Sequence, residues 1–168
     1  MSDIKIWIRW LIQVNLWSVF TSFVRRVIMK EFNYNEILPG LFQSGSFDDP
    51  KKVIDLKIDV VIDLEGSFDP FVTPLSSYLY WPISDKPELP DVDELKAVAS
   101  YGLACWKKKP QPLRVLVHCA QGMNRSGLLN GIILILSGMK GKDAVKLIRE
   151  KRPGALVNFV FAEYLESL

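Results

Sequence analysis

The sequence predicts an α/β domain with a central, mostly parallel sheet of about four or five strands flanked by helices. Two observations carry this. From Asn33 onward, short strand-like and helix-like runs alternate, with neither repeats nor low-complexity stretches. Hydrophobic residues make up 49% and charged residues 24% of the 168 positions, a composition that supports one packed core and leaves no room for a second catalytic domain. Residues 33–168 are read as that domain and residues 1–32 as an apolar N-terminal helical extension.

Along the domain, Ile37 to Ser44 is a strand or tight ribbon broken by Pro39-Gly40. Asp48 or Asp49 is placed to cap a short helix running through Leu56. Val60 to Leu64 (VVIDL) is a short apolar run of the buried-strand type, and Gly66 to Pro74 has the composition of a loop. Tyr78 to Ile83 is strand-like with Pro82 near its end, and Pro87 and Pro90 hold off regular structure until Asp91. Asp91 then caps a helix whose apolar side carries Val92, Leu95, Val98, Ala99 and Leu103, ending near Lys107 to Lys109 before Pro110. Val115 to Val117 is a central strand. Leu128 to Leu136, with its flanks, is a buried helix ended by Gly138 and Gly141. An amphipathic helix around Asp143 to Lys151 stops at Pro153, and Leu156 to Leu165 forms the last helix.

The N-terminal extension resists a single label. The run from Trp10 to Val24 has no charge, yet it is shorter than the roughly 20 apolar residues of a spanning helix, and no small-residue cleavage site follows it. At about 100° per residue the polar stripe of Lys5, Arg9 and Gln13 changes sides to Asn15, Ser18, Ser22 and Arg26. Packing on the domain or on a second copy is one outcome for residues 4–29. Lying in a membrane interface, with Trp7, Trp10 and Trp17 at headgroup level, is the other.

Charge and cysteine content narrow the function. Lys and Arg number 21 against 19 Asp and Glu, so the net charge of +2 supplies no global field for nucleic acid, which is not an expected partner. With two cysteines and one histidine, a disulfide framework and a zinc site of the usual kind are both disfavoured, and reduced thiols in a cytoplasmic setting are expected without metal or cofactor.

Chemistry concentrates in His118 to Gly127, HCAQGMNRSG, between the Val115 strand and the Leu128 helix. A cysteine at a strand end, followed by a loop running into a helix, gathers backbone N–H groups and a helix N-terminus around one small volume suited to a phosphate dianion. The same potential favours thiolate over thiol at Cys119. Gly122 permits the loop's backbone to converge. Arg125 brings a planar fork that matches two phosphate oxygens, and Ser126 has a hydroxyl to donate to the sulfur as it leaves.

This segment resembles the signature loop of the protein tyrosine phosphatase superfamily, and the upstream pattern resembles its dual-specificity branch. ILPGLFQSGS is similar to that branch's entry strand, VVIDL to its second strand, WPISDKPELP to its general-acid loop and REKRPGALVN to the segment after its signature helix. The resemblance spans roughly Asn35 to Leu165. It implies a dual-specificity phosphatase fold, with Cys119 as nucleophile, Arg125 as phosphate clamp, Ser126 as the hydroxyl and His118 as a histidine whose hydrogen bonds shape the loop. The amides of Ala120, Gln121, Gly122, Met123, Asn124 and Arg125 would cradle the phosphate, and Asp85 would act as general acid. Asp91 and Asp93 lie on the same stretch, although Asp91 reads better as a cap. Leu128 departs from the small or hydroxyl residue of many relatives, which bears on packing rather than chemistry.

The substrate expected is a phosphorylated protein, since the loop has no basic residue beyond Arg125. Phosphoinositides and RNA 5′-triphosphates are alternatives on the same fold. A catalytically idle phosphate-binding module is the alternative of another class. Cys105 is read as a buried helix position, with a protective disulfide to Cys119 left open.

Overall fold

The computed structural model describes residues 34–47, 49, 51–67, 69 and 76–168. The reading of residues 1–32 as a helical extension lies outside the described residues, as does much of the Gly66 to Pro74 loop. Among the described residues no helix is long and apolar enough to cross a membrane.

The first apolar ribbon is a hairpin. β1 (Tyr34–Leu38) turns at Pro39-Gly40 into the antiparallel β2 (Leu41–Ser44), and Gly40 N donates to Glu36 Oε1 at 2.8 Å. α1 (Lys51–Asp55) follows, with Asp49 Oδ1 accepting from Lys51 N at 2.9 Å as a cap does. Next come β3 (Val60–Asp63) and β4 (Ser77–Tyr80). β4 stops short of Ile83 because Pro82 has no N–H, although Trp81 N still bonds Asp63 O at 2.9 Å.

α2 (Val92–Trp106) begins at the expected cap: Asp91 Oδ1 accepts from Asp93 N and Glu94 N, both at 2.9 Å. β5 (Val115–His118) is followed by α3 (Arg125–Leu136), α4 (Gly141–Lys151) and α5 (Phe159–Glu166). Two boundaries differ from the sequence reading. Gly141 does not help to end α3; it opens α4, where a β-carbon would stand 1.8 Å from Leu165 O. The last helix begins at Phe159 rather than Leu156, because Leu156 sits at φ 56 and Asn158 provides the cap, accepting from Val160 N at 3.2 Å.

The five strands form one sheet in the order β1-β2-β5-β3-β4, with every pairing but the first parallel. Side chains alternate across it with period two. Ile37, Leu41, Val60, Ile62, Val115 and Val117 share one core with α2 to α5, while Phe42, Val61 and Leu116 pack on the other side with Val53 of α1, Phe47 and Ile58. α3 is buried on nearly all sides, from Ser126 through Leu134, which explains its continuous apolar run. Each such Leu or Ile contributes roughly 1.5–3 kcal/mol by leaving water.

Because β2, β5 and β3 are parallel and in register, Ser44, His118 and Asp63 end side by side. The loops after these strands leave from one edge of the sheet, the edge at which open α/β sheets bind ligands.

Candidate active site

Cys119 leaves the central strand at that edge. Its N–H donates to Ser44 O at 3.3 Å, which extends the pairing of β2 and β5 by one residue. Its Sγ lies 3.4 Å from Ser126 Oγ, and the residue is 1% exposed.

The turn that follows is shaped from outside through its carbonyls. Ala120 O accepts from Ser46 N (3.1 Å) and Ser46 Oγ (3.0 Å). Gln121 O accepts from Arg152 Nη2 (3.1 Å), Gly122 O from Gln43 Nε2 (3.0 Å) and Met123 O from Leu156 N (3.2 Å). A trans peptide points its N–H opposite its C=O. Four consecutive carbonyls held outward therefore direct the N–H groups of Gln121, Gly122, Met123 and Asn124 to the concave side, the geometry of an anion nest. Gly122 is required here. Its φ is 66, and a β-carbon would lie 2.3 Å from the Ser44 carbonyl carbon.

The props are themselves tied down. Gln43 Oε1 accepts from Asn130 Nδ2 at 3.2 Å, and the buried Arg152 also donates through Nη1 to Asn35 Oδ1 at 2.6 Å.

Arg125 is the first residue of α3. Its Nη1 donates to Leu64 O (3.0 Å) and Ile83 O (3.2 Å), which fixes the guanidinium plane between the chain after β3 and the loop after β4. Its Nε is buried and has no hydrogen-bond partner among the described residues. A cation held by two carbonyls with a donor in reserve suits an oxyanion.

Asp85 sits on that second loop, where Asn124 Nδ2 donates to its Oδ2 at 3.2 Å and Asn158 Nδ2 to its Oδ1 at 3.4 Å. Burial pushes its carboxyl above the usual carboxylate range, against the pull of Asn124, Arg125 and Asn158. A raised pKa is what a proton donor needs. Of the three aspartates on this stretch, Asp85 is the one that bonds the signature loop, whereas Asp91 is committed to α2.

His118 departs from its expectation. Neither ring nitrogen makes a hydrogen bond among the described residues; Nε2 stands 3.3 Å from Asp63 Oδ1 and 3.6 Å from Asp69 Oδ2 without hydrogen-bond alignment. Burial, with the nearby Arg125 cation, brings its pKa down to about 4, so the ring is neutral near pH 7. It shapes the site by packing edge-on against Phe47, at 5.2 Å between ring centroids, and through its main-chain carbonyl, which accepts from Leu64 N at 3.0 Å.

Asp63, the last residue of β3, and Glu65, two residues on, lie next to this ring. Tyr78 Oη donates to Asp63 Oδ2, Glu65 N to Asp63 Oδ1 at 2.7 Å, and Ser46 Oγ to Glu65 Oε2 at 2.7 Å. Asp63, Glu65 and His118 each present one ligating atom within 4.8 Å of the others, and internal donors already reach both Asp63 oxygens and Glu65 Oε2. Cys105 is half-buried on α2, packed against the main core, and both cysteines are free.

No family model matches the chain. It is 48% identical over 53 residues to human protein tyrosine phosphatase type IVA 3, a stretch that spans 32% of this chain and 30% of that protein. It is 28% identical over 141 residues to a probable rhodanese domain-containing dual specificity protein phosphatase of Dictyostelium discoideum, spanning 83% of this chain and 28% of that protein. The chain thus spans less than a third of either relative's length. Among solved structures it superposes on DUSP15 with a TM-score of 0.66 at 27% identity, covering 80% of this chain and 85% of that one. It superposes equally on the human tyrosine phosphatase-like serine/threonine/tyrosine-interacting protein, with a TM-score of 0.67 at 26% identity over 80% and 93% of the two chains.

Proposed function

We propose that this chain, which belongs to the dual-specificity-like branch of the protein tyrosine phosphatase superfamily, hydrolyses phosphomonoesters of proteins through a phosphocysteine on Cys119. The observation that carries the reading is the meeting of three groups around one loop: the Cys119 sulfur beside Ser126, the doubly anchored Arg125, and Asp85 bonded to Asn124.

The Cys119 thiolate attacks phosphorus while the P–O bond to the leaving group breaks, and Asp85 gives its proton to the departing oxygen. The ionised Asp85 then takes a proton from a water whose oxygen attacks phosphorus. The S–P bond breaks, and the sulfur leaves as thiolate with Ser126 donating to it. Arg125 and the inward amides hold the equatorial oxygens throughout, so developing charge is met by groups already in place.

A phosphoprotein is favoured over polyphosphorylated lipid headgroups or RNA ends by the charge around the loop. Glu65 is joined to the loop through Ser46, which bonds both the Glu65 carboxylate and Ala120 O, and so adds negative charge beside the nest. The Lys107 to Lys109 cluster lies at the far end of α2, where Leu113 N bonds Cys105 O just before β5 begins. A helix of this length, roughly 1.5 Å per residue, separates it from the loop edge.

The reading of an idle phosphate-holding module draws on the likeness to one structural neighbour, the tyrosine phosphatase-like interacting protein. It gives Asp85 no task. A cytoplasmic setting, with residues 4–29 at a membrane surface or against a second copy, completes the proposal on sequence grounds; sedimentation with liposomes of the full chain and of residues 34–168 tests it.

Hydrolysis of p-nitrophenyl phosphate by the wild type, Cys119→Ser and Asp85→Asn, with and without EDTA, tests the mechanism. Turnover insensitive to EDTA, abolished in the first variant and reduced in the second, is the expected result. A wild type that binds phosphate but turns nothing over would shift the function to phosphate reading.

A further inference from the structure

Asn158 does more than its place in the chain requires. As the N-cap of α5 it needs only its Oδ1, which accepts from Val160 N at 3.2 Å, and Ser or Asp would serve as well. The residue is nonetheless wholly buried, and its amide nitrogen is turned the other way. Nδ2 donates to Lys86 O at 2.8 Å and reaches Asp85 Oδ1 at 3.4 Å. Its main-chain N–H donates to Asn124 Oδ1 at 2.9 Å, which orients the Asn124 amide so that Nδ2 faces Asp85 Oδ2 at 3.2 Å. Each oxygen of Asp85 thus has one amide donor, and both donors pass through Asn158. Among the described residues the Asp85 loop has one further hydrogen bond to this region, donated by Arg125 Nη1 to Ile83 O, besides the attraction of the Arg125 charge for Asp85.

We infer that Asn158 is a positioning residue that locks the Asp85 loop against the signature loop, so that the acid is preset over the site and the helix after the catalytic segment takes part in leaving-group protonation. The inference rests on the phosphatase reading. Asn at this position is a choice of donor, not of cap.

The test uses the full chain carrying Asn158→Ser, which keeps a capping oxygen and loses the amide, with Asn158→Asp as a second variant should the first fold poorly. Two substrates separate the roles. Phenyl phosphate needs its leaving oxygen protonated, whereas p-nitrophenyl phosphate releases a stabilised anion that depends much less on an acid. Expected is a fall in kcat on phenyl phosphate of roughly tenfold or more, a markedly smaller fall on p-nitrophenyl phosphate, and no further fall when Asn158→Ser is added to Asp85→Asn. Equal losses on the two substrates, or a full additional loss in the Asp85→Asn background, would overturn the assignment while leaving the phosphatase reading intact. Absence of Cys119-dependent turnover in the wild type would instead remove that reading, and the role of Asn158 with it.

Discussion

At the scale of single residues, Arg125 and Gly122 are bound by geometry that near substitutes cannot reproduce. The Arg125 guanidinium bonds Leu64 O and Ile83 O through one nitrogen and keeps others for an anion. A lysine ammonium is a point charge on a flexible stem and cannot serve both sides in one plane. Arg125→Lys should therefore lower kcat/KM on p-nitrophenyl phosphate by at least roughly tenfold and weaken inhibition by vanadate, with little change in the urea midpoint. Gly122→Ala should fail in both respects. The left-handed backbone costs an alanine roughly 1–3 kcal/mol, and its β-carbon meets main chain that cannot swing aside. A urea midpoint equal to wild type would contradict the loop geometry.

Within elements, the stretch between β4 and α2 carries carboxylates with separable duties. Asp91 caps two N–H groups of α2 and has no hydrogen bond to the signature loop among the described residues, so Asp91→Ala should cost about 1 kcal/mol in a thermal or urea melt with turnover unchanged. Asp85→Asn should do the reverse, lowering turnover of phenyl phosphate roughly 10²–10⁴-fold, and of p-nitrophenyl phosphate much less, with stability nearly intact. α3 offers the contrast of a helix whose value is packing. Leu128 is fully buried, and Leu128→Ala should destabilise by roughly 2–5 kcal/mol, read as a shift in denaturation midpoint.

Across the whole molecule, the strand ends gather a buried titrating cluster whose members push stability in opposite directions. Burial raises Asp63 from 3.8 to about 6, against hydrogen bonds from Tyr78 and Glu65 N, so its contribution is present below the unfolded pKa and is lost as pH climbs to about 6. His118 is lowered from 6.5 to about 4, so its contribution is present above 6.5 and is lost as pH falls to about 4. The two slopes oppose each other over nearly the same window. Asp63→Asn removes one of them, and its urea midpoint should rise with pH between about 4 and about 6.5 more steeply than that of the wild type. Parallel slopes would show that Asp63 does not carry the proton.

The chain by itself determined the α/β class, the Asp91 cap and the identity of the Cys119 to Ser126 loop. Each rests on residues close in sequence, where turn chemistry, capping and spacing act locally. Asp85 was legible as a loop carboxylate, but its separation from Asp91 and Asp93 needed coordinates. The props of the loop were not legible: Gln43, Arg152 and Asn158 reach it from partners 79, 31 and 34 residues away, Asn130 steadies Gln43 from α3, and alone each reads as an ordinary polar residue. His118 was expected to make hydrogen bonds, and burial among Phe47, Asp63 and Arg125 decided otherwise. Local pattern sets which groups are present and in what order. Only the packing of distant segments decides which way a peptide faces, which carboxyl is dehydrated, and which amides face its oxygens.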